Sequence, residues 1–155
     1  MSLLFALALL FQPQPELTQL ERFLSGRTQG SGSVQIMMSG TSTIQTEGRG
    51  SVLPDGSFRL EHVLRQQGEP ERRRTWNMRR SSPTRYTGTI SDARGPVTAS
   101  VTGNQVRVEY RTTEGYWIDQ MLTINADGRS AANRTRISRF GIGVATLQET
   151  IRKVD

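Results

Sequence analysis

The stretch ERRRTWNMRR, Glu71 to Arg80, sets five arginines around a tryptophan and a methionine, and its reading decides the fold. A basic helix or arm that holds nucleic acid by charge needs no strict alternation. A strand does, because successive side chains point to opposite faces of the sheet. Trp76 and Met78 stand two apart and share one face, while Arg73, Thr75, Asn77 and Arg79 fall on the other. The preceding SFRLEHVL does the same, with Phe58, Leu60, His62 and Leu64 opposed to Arg59, Glu61, Val63 and Arg65. The stretch therefore reads as a strand with a basic outer face. Arg72 and Arg74 share the parity of Trp76 and are read as facing inward. A buried guanidinium needs an acidic partner. Glu61 and Asp92 are the candidates, and the register set at Gln67 to Pro70 decides whether Glu61 qualifies.

Outward from this strand, alternating segments are separated by turn chemistry. Ser33 to Met38 stops at Ser39-Gly40, Thr41 to Leu53 at Pro54-Asp55-Gly56, Ser57 to Gln67 at Gly68, and Glu71 to Arg80 at Ser82-Pro83. Thr84 to Ser91 precedes a turn read over Asp92 to Pro96. Val97 to Thr102, Gln105 to Thr112 and Trp117 to Asn125 stop at Gly103, Gly115 and Gly128, and Arg129 to Arg139 and Ile142 to Lys153 flank Phe140-Gly141. A spacing of roughly 10 residues per strand and turn is that of an antiparallel meander. So many strands, each with one apolar side, must close to hide their edges and their bare face. The expectation is an all-β, antiparallel up-and-down β-barrel of nine or ten strands. A short N-terminal helix precedes it: ELTQLERFLSG, entered at Pro15-Glu16, has Leu17, Leu20, Phe23 and Leu24 at helical spacing and a stop at Gly26. Such a helix would plug one end of the barrel.

At 155 residues with 34% apolar composition, the chain suits one soluble domain, read here as residues 16–155. The net charge of +6 is almost all arginine, since Lys153 is the sole lysine, and arginine suits anionic partners. Without cysteine there is no disulfide, thiolate metal site or cysteine nucleophile. Residues 1–12 hold an apolar run, Leu3 to Phe11, too short to span a bilayer and read as the remnant of an export signal, the alternative being a buried N-terminal helix packed on the domain. This reading places the protein in the cell envelope, in the periplasm.

Several short motifs in order, Leu60 to Leu64 (LEHVL), Arg74-Thr75-Trp76, Tyr86 to Gly95 (YTGTISDARG), Gly103-Asn104, Asn133-Arg134 and Phe140 to Val144 (FGIGV), resemble one family over residues 16 to 153. It is a family of uncharacterised proteobacterial envelope proteins, often lipoproteins, grouped as a domain of unknown function. The resemblance implies a lipocalin-like barrel and an envelope location, and no reaction. This chain lacks the cysteine that carries an acyl anchor in many members. It has Asp119-Gln120-Met121 where the family usually places tryptophan between the acidic residue and the methionine.

No catalytic constellation stands out, and no metal or cofactor is implied. His62 is the sole histidine, and Glu61 beside it points to the opposite face, so the two do not serve one substrate together. The Gly30-Ser31-Gly32 and Gly48-Arg49-Gly50 patterns do not open a helix, and they suit a bending sheet better than a phosphate cradle. Nucleic acid would need exposed aromatic platforms in a basic groove. Trp76, Tyr86, Tyr110, Tyr116 and Trp117 are all read as core instead. The leading expectation is a barrel that binds a small amphipathic or lipid-like ligand. Leu60, Trp76, Met78, Val106, Val108 and Tyr110 would form its apolar wall, and Arg74, Asp92 and Asn133 would fix a polar head. The alternative is a packed structural barrel in which Glu61, Arg74 and Asp92 pair with one another. A further expected partner is an anionic membrane surface, met by Arg73, Arg79 and Arg80 on the outer face.

Overall fold

A computed structural model describes residues 16–155, so the 1–12 segment read as a signal remnant lies outside the described residues. One helix, α1 (Gln19–Leu24), leads into ten strands: β1 (Gly26–Ile36), β2 (Gly40–Val52), β3 (Phe58–Gln66), β4 (Arg72–Ser82), β5 (Arg85–Ile90), β6 (Ala93–Thr102), β7 (Gln105–Thr112), β8 (Trp117–Ile124), β9 (Ser130–Arg139) and β10 (Ile142–Lys153). Each strand pairs antiparallel with its sequence neighbour, and β1 pairs with β10 to close the barrel. Closure leaves no exposed sheet edge, which is the physical demand the alternation implied.

The helix is shorter than the sequence suggested. It starts at Thr18 rather than Pro15-Glu16, because Thr18 and Glu21 form a capping box in which each side chain bonds the other's backbone N–H. β1 begins at Gly26, well before the Ser33 start read from alternation, and it pairs with β2 from Gly26↔Gly50 onward. The Asp92 to Pro96 turn is narrower than expected, since β6 starts at Ala93 and absorbs Gly95-Pro96 in a register irregularity against β7 between Arg94 and Thr98. A proline lacks a ladder donor and is tolerated where pairing is broken.

The β3 and β4 register settles which charges are internal. Leu60 lies opposite Trp76, His62 opposite Arg74, and Glu61 opposite Thr75. Directly opposed residues share a face. Arg74 is therefore inside and Glu61 outside.

The inner faces form one large apolar cluster that includes Phe23, Tyr86, Val97, Val106, Tyr110, Leu122 and Ile124. A smaller one joins Val34, Ile44 and Leu64. α1 covers the barrel end where β1 starts and β10 finishes, and it meets Gly50 of β2, Arg80 of β4, Tyr86 of β5 and Lys153 of β10. Phe23, only 1% exposed, is its deepest anchor. Burying such a ring contributes roughly 2–3 kcal/mol. Gly50 of β2 permits this seating, because a Cβ there would lie 2.0 Å from the Leu24 carbonyl oxygen.

Candidate functional site

Beneath α1 the barrel encloses a cavity of about 100 Å³. Leu20 and Leu24 of the helix roof it. Phe58, Leu60, Trp76, Met78, Val106, Val108, Leu122 and Ile151 supply most of the wall, each from the inward parity of its strand. The polar residues on this largely apolar wall are few: Glu21, Thr28, Thr46, His62, Tyr86, Gln120 and Glu149.

Glu149 is set into the wall of the cavity from β10, and it is 7% exposed. Thr46 Oγ1 donates to its Oε2 at 2.9 Å, and Asn133 Nδ2 donates to its Oε1 at 2.8 Å. Asn133 faces Glu149 directly across the β9–β10 ladder. Gly30 of β1 makes room for the carboxylate, since a Cβ there would come within 2.5 Å of Glu149 Oε2 and 2.3 Å of Thr46 Oγ1.

On β3 and β4, His62 Nδ1 and Trp76 Nε1 are buried ring nitrogens without a hydrogen-bond partner. His62 is half-buried and lines the cavity. Burial, with the nearby Arg74 charge, pushes the imidazole down to about 3 and keeps it neutral. Trp76 packs edge-on to Tyr110, with ring centroids 5.7 Å apart. Below that pair, Arg74 donates to Tyr110 Oη at 2.7 Å, and its Nε lies 3.6 Å from Asp92 Oδ2, within ion-pair reach but beyond hydrogen-bond length. Burial is the largest influence on the Tyr110 phenol and pushes it up.

The roof is tied down at three points. Arg80 Nη2 donates to both Glu21 carboxylate oxygens, at 2.6 and 3.0 Å. Thr18 and Tyr86 share a hydrogen bond of 2.6 Å between their hydroxyls. Lys153, the sole lysine, donates to the carbonyls of Arg22, Phe23 and Ser25 at 3.1, 3.1 and 2.5 Å. A cation at a helix C-terminus satisfies carbonyls that have no partner within the helix. Burial would raise the Glu21 carboxyl, but hydrogen bonds from Thr18 and the Arg80 contact outweigh it and hold it below the usual range.

The expected site residues divide three ways. Leu60, Trp76, Met78, Val106 and Val108 line the cavity. Tyr110, Arg74 and Asp92 lie deeper, toward the end away from α1, and Asn133 stands behind Glu149. Glu61 is corrected outright: it is on the outer face, paired with Arg59 at 3.6 Å, because the register puts it opposite Thr75. Trp117 is likewise not core, being 40% exposed. Arg80 is not on the outer face with Arg73 and Arg79: it shares the parity of Trp76 and Met78 and turns to Glu21. Arg73 and Arg79 are outside, and each meets an acid, Glu71 at 3.0 Å and Asp55 at 2.8 Å.

Sequence reasoning missed Glu149, Thr46 and Gln120. A signal for Glu149 was present, since it shares the parity of Leu147 and Ile151 in an otherwise alternating strand. Gln120, where the family resemblance places tryptophan, faces the cavity with a smaller side chain. Among the described residues no group of three His, Asp or Glu comes together to hold a metal ion.

A family model described as protein of unknown function (DUF3833) matches residues 9–153. No match was found among curated proteins. Among solved structures the chain is similar to the S-type phycobiliprotein lyase CPES from Guillardia theta, at 8% sequence identity and a TM-score of 0.66, covering 91% of this chain and 99% of that one. It is similar to Rv2717c from M. tuberculosis at 12% identity and a TM-score of 0.68, covering 91% and 100%. It is also similar to EF1p2_mFAP2b bound to DFHBI, at 8% identity and a TM-score of 0.52, covering 90% and 100%. At these identities the likeness is one of fold, a lipocalin-like barrel.

Proposed function

We propose that this chain, which belongs to the DUF3833 family of proteins of unknown function, binds a small amphipathic ligand in the cavity beneath α1 and does so in the bacterial cell envelope. The observation that carries this reading is the cavity itself: a largely apolar wall with a few polar groups, among them the buried Glu149 carboxylate. A mostly apolar hollow with a few placed polar groups is the form that small-ligand sites take. The similar barrel solved with DFHBI bound supports the reading by showing that this fold accommodates a small molecule. The envelope location rests on the Leu3 to Phe11 run and the family resemblance.

A volume of about 100 Å³ is below the ~300 Å³ of common ligand pockets, so the present form holds a short chain or several waters. A larger ligand enters only if α1 lifts. The helix is a single short element held by Phe23 and by its bonds to Arg80, Tyr86 and Lys153, and lifting it would break those contacts.

A second reading is a packed barrel without a ligand. The small volume and the internal pairing of Arg74 with Asp92 favour it. Thermal melting of delipidated protein with a panel of short and long amphiphiles separates the two. A ligand at about 100 times its Kd adds about 2.7 kcal/mol, which raises Tm by roughly 5 to 10 °C. No rise with any member of the panel leaves the packed barrel.

A further inference from the structure

An ionised carboxylate offers about four lone-pair positions to donors. Glu149 has two filled, by Thr46 and Asn133, and both donors are neutral. None of the ion pairs among the described residues includes Glu149. Residues 1–15 contain no lysine or arginine that would supply one.

Arg72, which shares the inward parity opposite Leu64, is exposed at the barrel end away from α1, and the enclosed cations are already committed. Arg80 holds Glu21, Arg74 holds Tyr110 and faces Asp92, and Lys153 holds the helix carbonyls. His62, held neutral, adds no positive charge, and its Nδ1 is an acceptor when the proton sits on Nε2. The cavity thus has a carboxylate with spare acceptor positions and no cation to answer it. A buried carboxylate lacking a counter-charge is costly, and a ligand cation removes the cost.

We infer that the cavity selects a protonated primary amine on a short apolar body, bound through its N–H donors to Glu149, and rejects carboxylate head groups. The inference rests on the ligand-binding reading above and narrows its ligand class. A primary ammonium has three donors and no acceptor, which matches the open acceptor positions of Glu149. A fatty-acid carboxylate would instead bring a second negative charge beside Glu149 in a water-poor space.

The test uses the full chain at pH 7 with three ligands of one length, hexylamine, 1-hexanol and hexanoate, measured by calorimetry and thermal melting. Hexylamine is expected to bind at least tenfold more tightly than hexanoate, with 1-hexanol between them. In Glu149→Gln, which keeps the size of the side chain, the amine preference should vanish while 1-hexanol binding persists. Hexanoate binding to the wild type as tightly as hexylamine overturns the inference, as does a Glu149→Gln protein with the amine preference intact. If the variant does not fold, the wild-type amine-to-acid ratio alone decides. Binding of none of the three rejects the ligand-binding reading itself, and this inference with it. Binding with the wrong order rejects only the choice of head group.

Discussion

Glu21 and Arg80 meet at 2.6 Å and join the helical plug to the wall of β4, with the Glu21 side chain only 5% exposed and that of Arg80 29%. Arg80→Met removes the cation and leaves a buried carboxylate behind. Such truncations cost 3–5 kcal/mol for fully buried pairs, and the partial exposure of Arg80 brings the expected loss to about 2–4 kcal/mol. Urea unfolding measures it. A loss under about 0.5 kcal/mol would show that the helix is seated by its apolar residues alone. Because the Glu21 carboxyl lies below its ordinary range in the fold, its contribution is present above the ordinary value near 4.5 and disappears as pH falls through the lower folded value.

His62 acts in a different pH window. Its folded value of about 3 is below the ordinary 6.5, so between these the unfolded chain binds a proton that the fold excludes. Stability is complete above pH 6.5 and falls by about 1.4 kcal/mol per pH unit below it, or about 2 kcal/mol by pH 5. His62→Gln, compared with wild type in urea at pH 7.5 and pH 5, should lack this slope. Equal slopes in the two proteins would mean that the imidazole is protonated in place.

Gly30 supplies space rather than flexibility. A Cβ there meets Thr46 Oγ1 and Glu149 Oε2, so Gly30→Ala must displace one or both ends of the hydrogen bond between them. Overpacking of this kind costs about 1–3 kcal/mol. Differential scanning calorimetry should show a lower Tm, and an unchanged Tm would place the Glu149 side chain elsewhere.

Lys153 fastens the last strand to the C-terminal end of α1 through three carbonyls. Lys153→Met keeps the stem and removes the donors, with an expected loss of about 1–2 kcal/mol, larger than an exposed lysine gives. Hydrogen exchange should also speed up in the α1 amides while the β5 to β8 amides stay protected. Uniform acceleration across the barrel would mean that the plug does not move by itself.

The barrel was legible in the sequence because alternation and turn chemistry are local properties. Trp76 against Arg73 and Arg79, and Phe58 against Arg59, assign faces through a two-residue period that any strand must obey, and ten such segments leave closure as the way to hide the edges. The plugging helix was legible for the same reason, although its start depended on whether Thr18 and Glu21 would cap each other. Tertiary structure alone decided which residues become partners. Glu61 and Asp92 were equal candidates for Arg74 until the β3–β4 register put Glu61 outside, a choice that one residue of slip would reverse. Glu149 showed its inward parity, but its donors Thr46 and Asn133 lie on two other strands, and Thr46 is 103 residues away in the chain. Periodicity says which way a side chain points. What it meets there depends on how strands distant in sequence are brought together, and closing the barrel is what determines that.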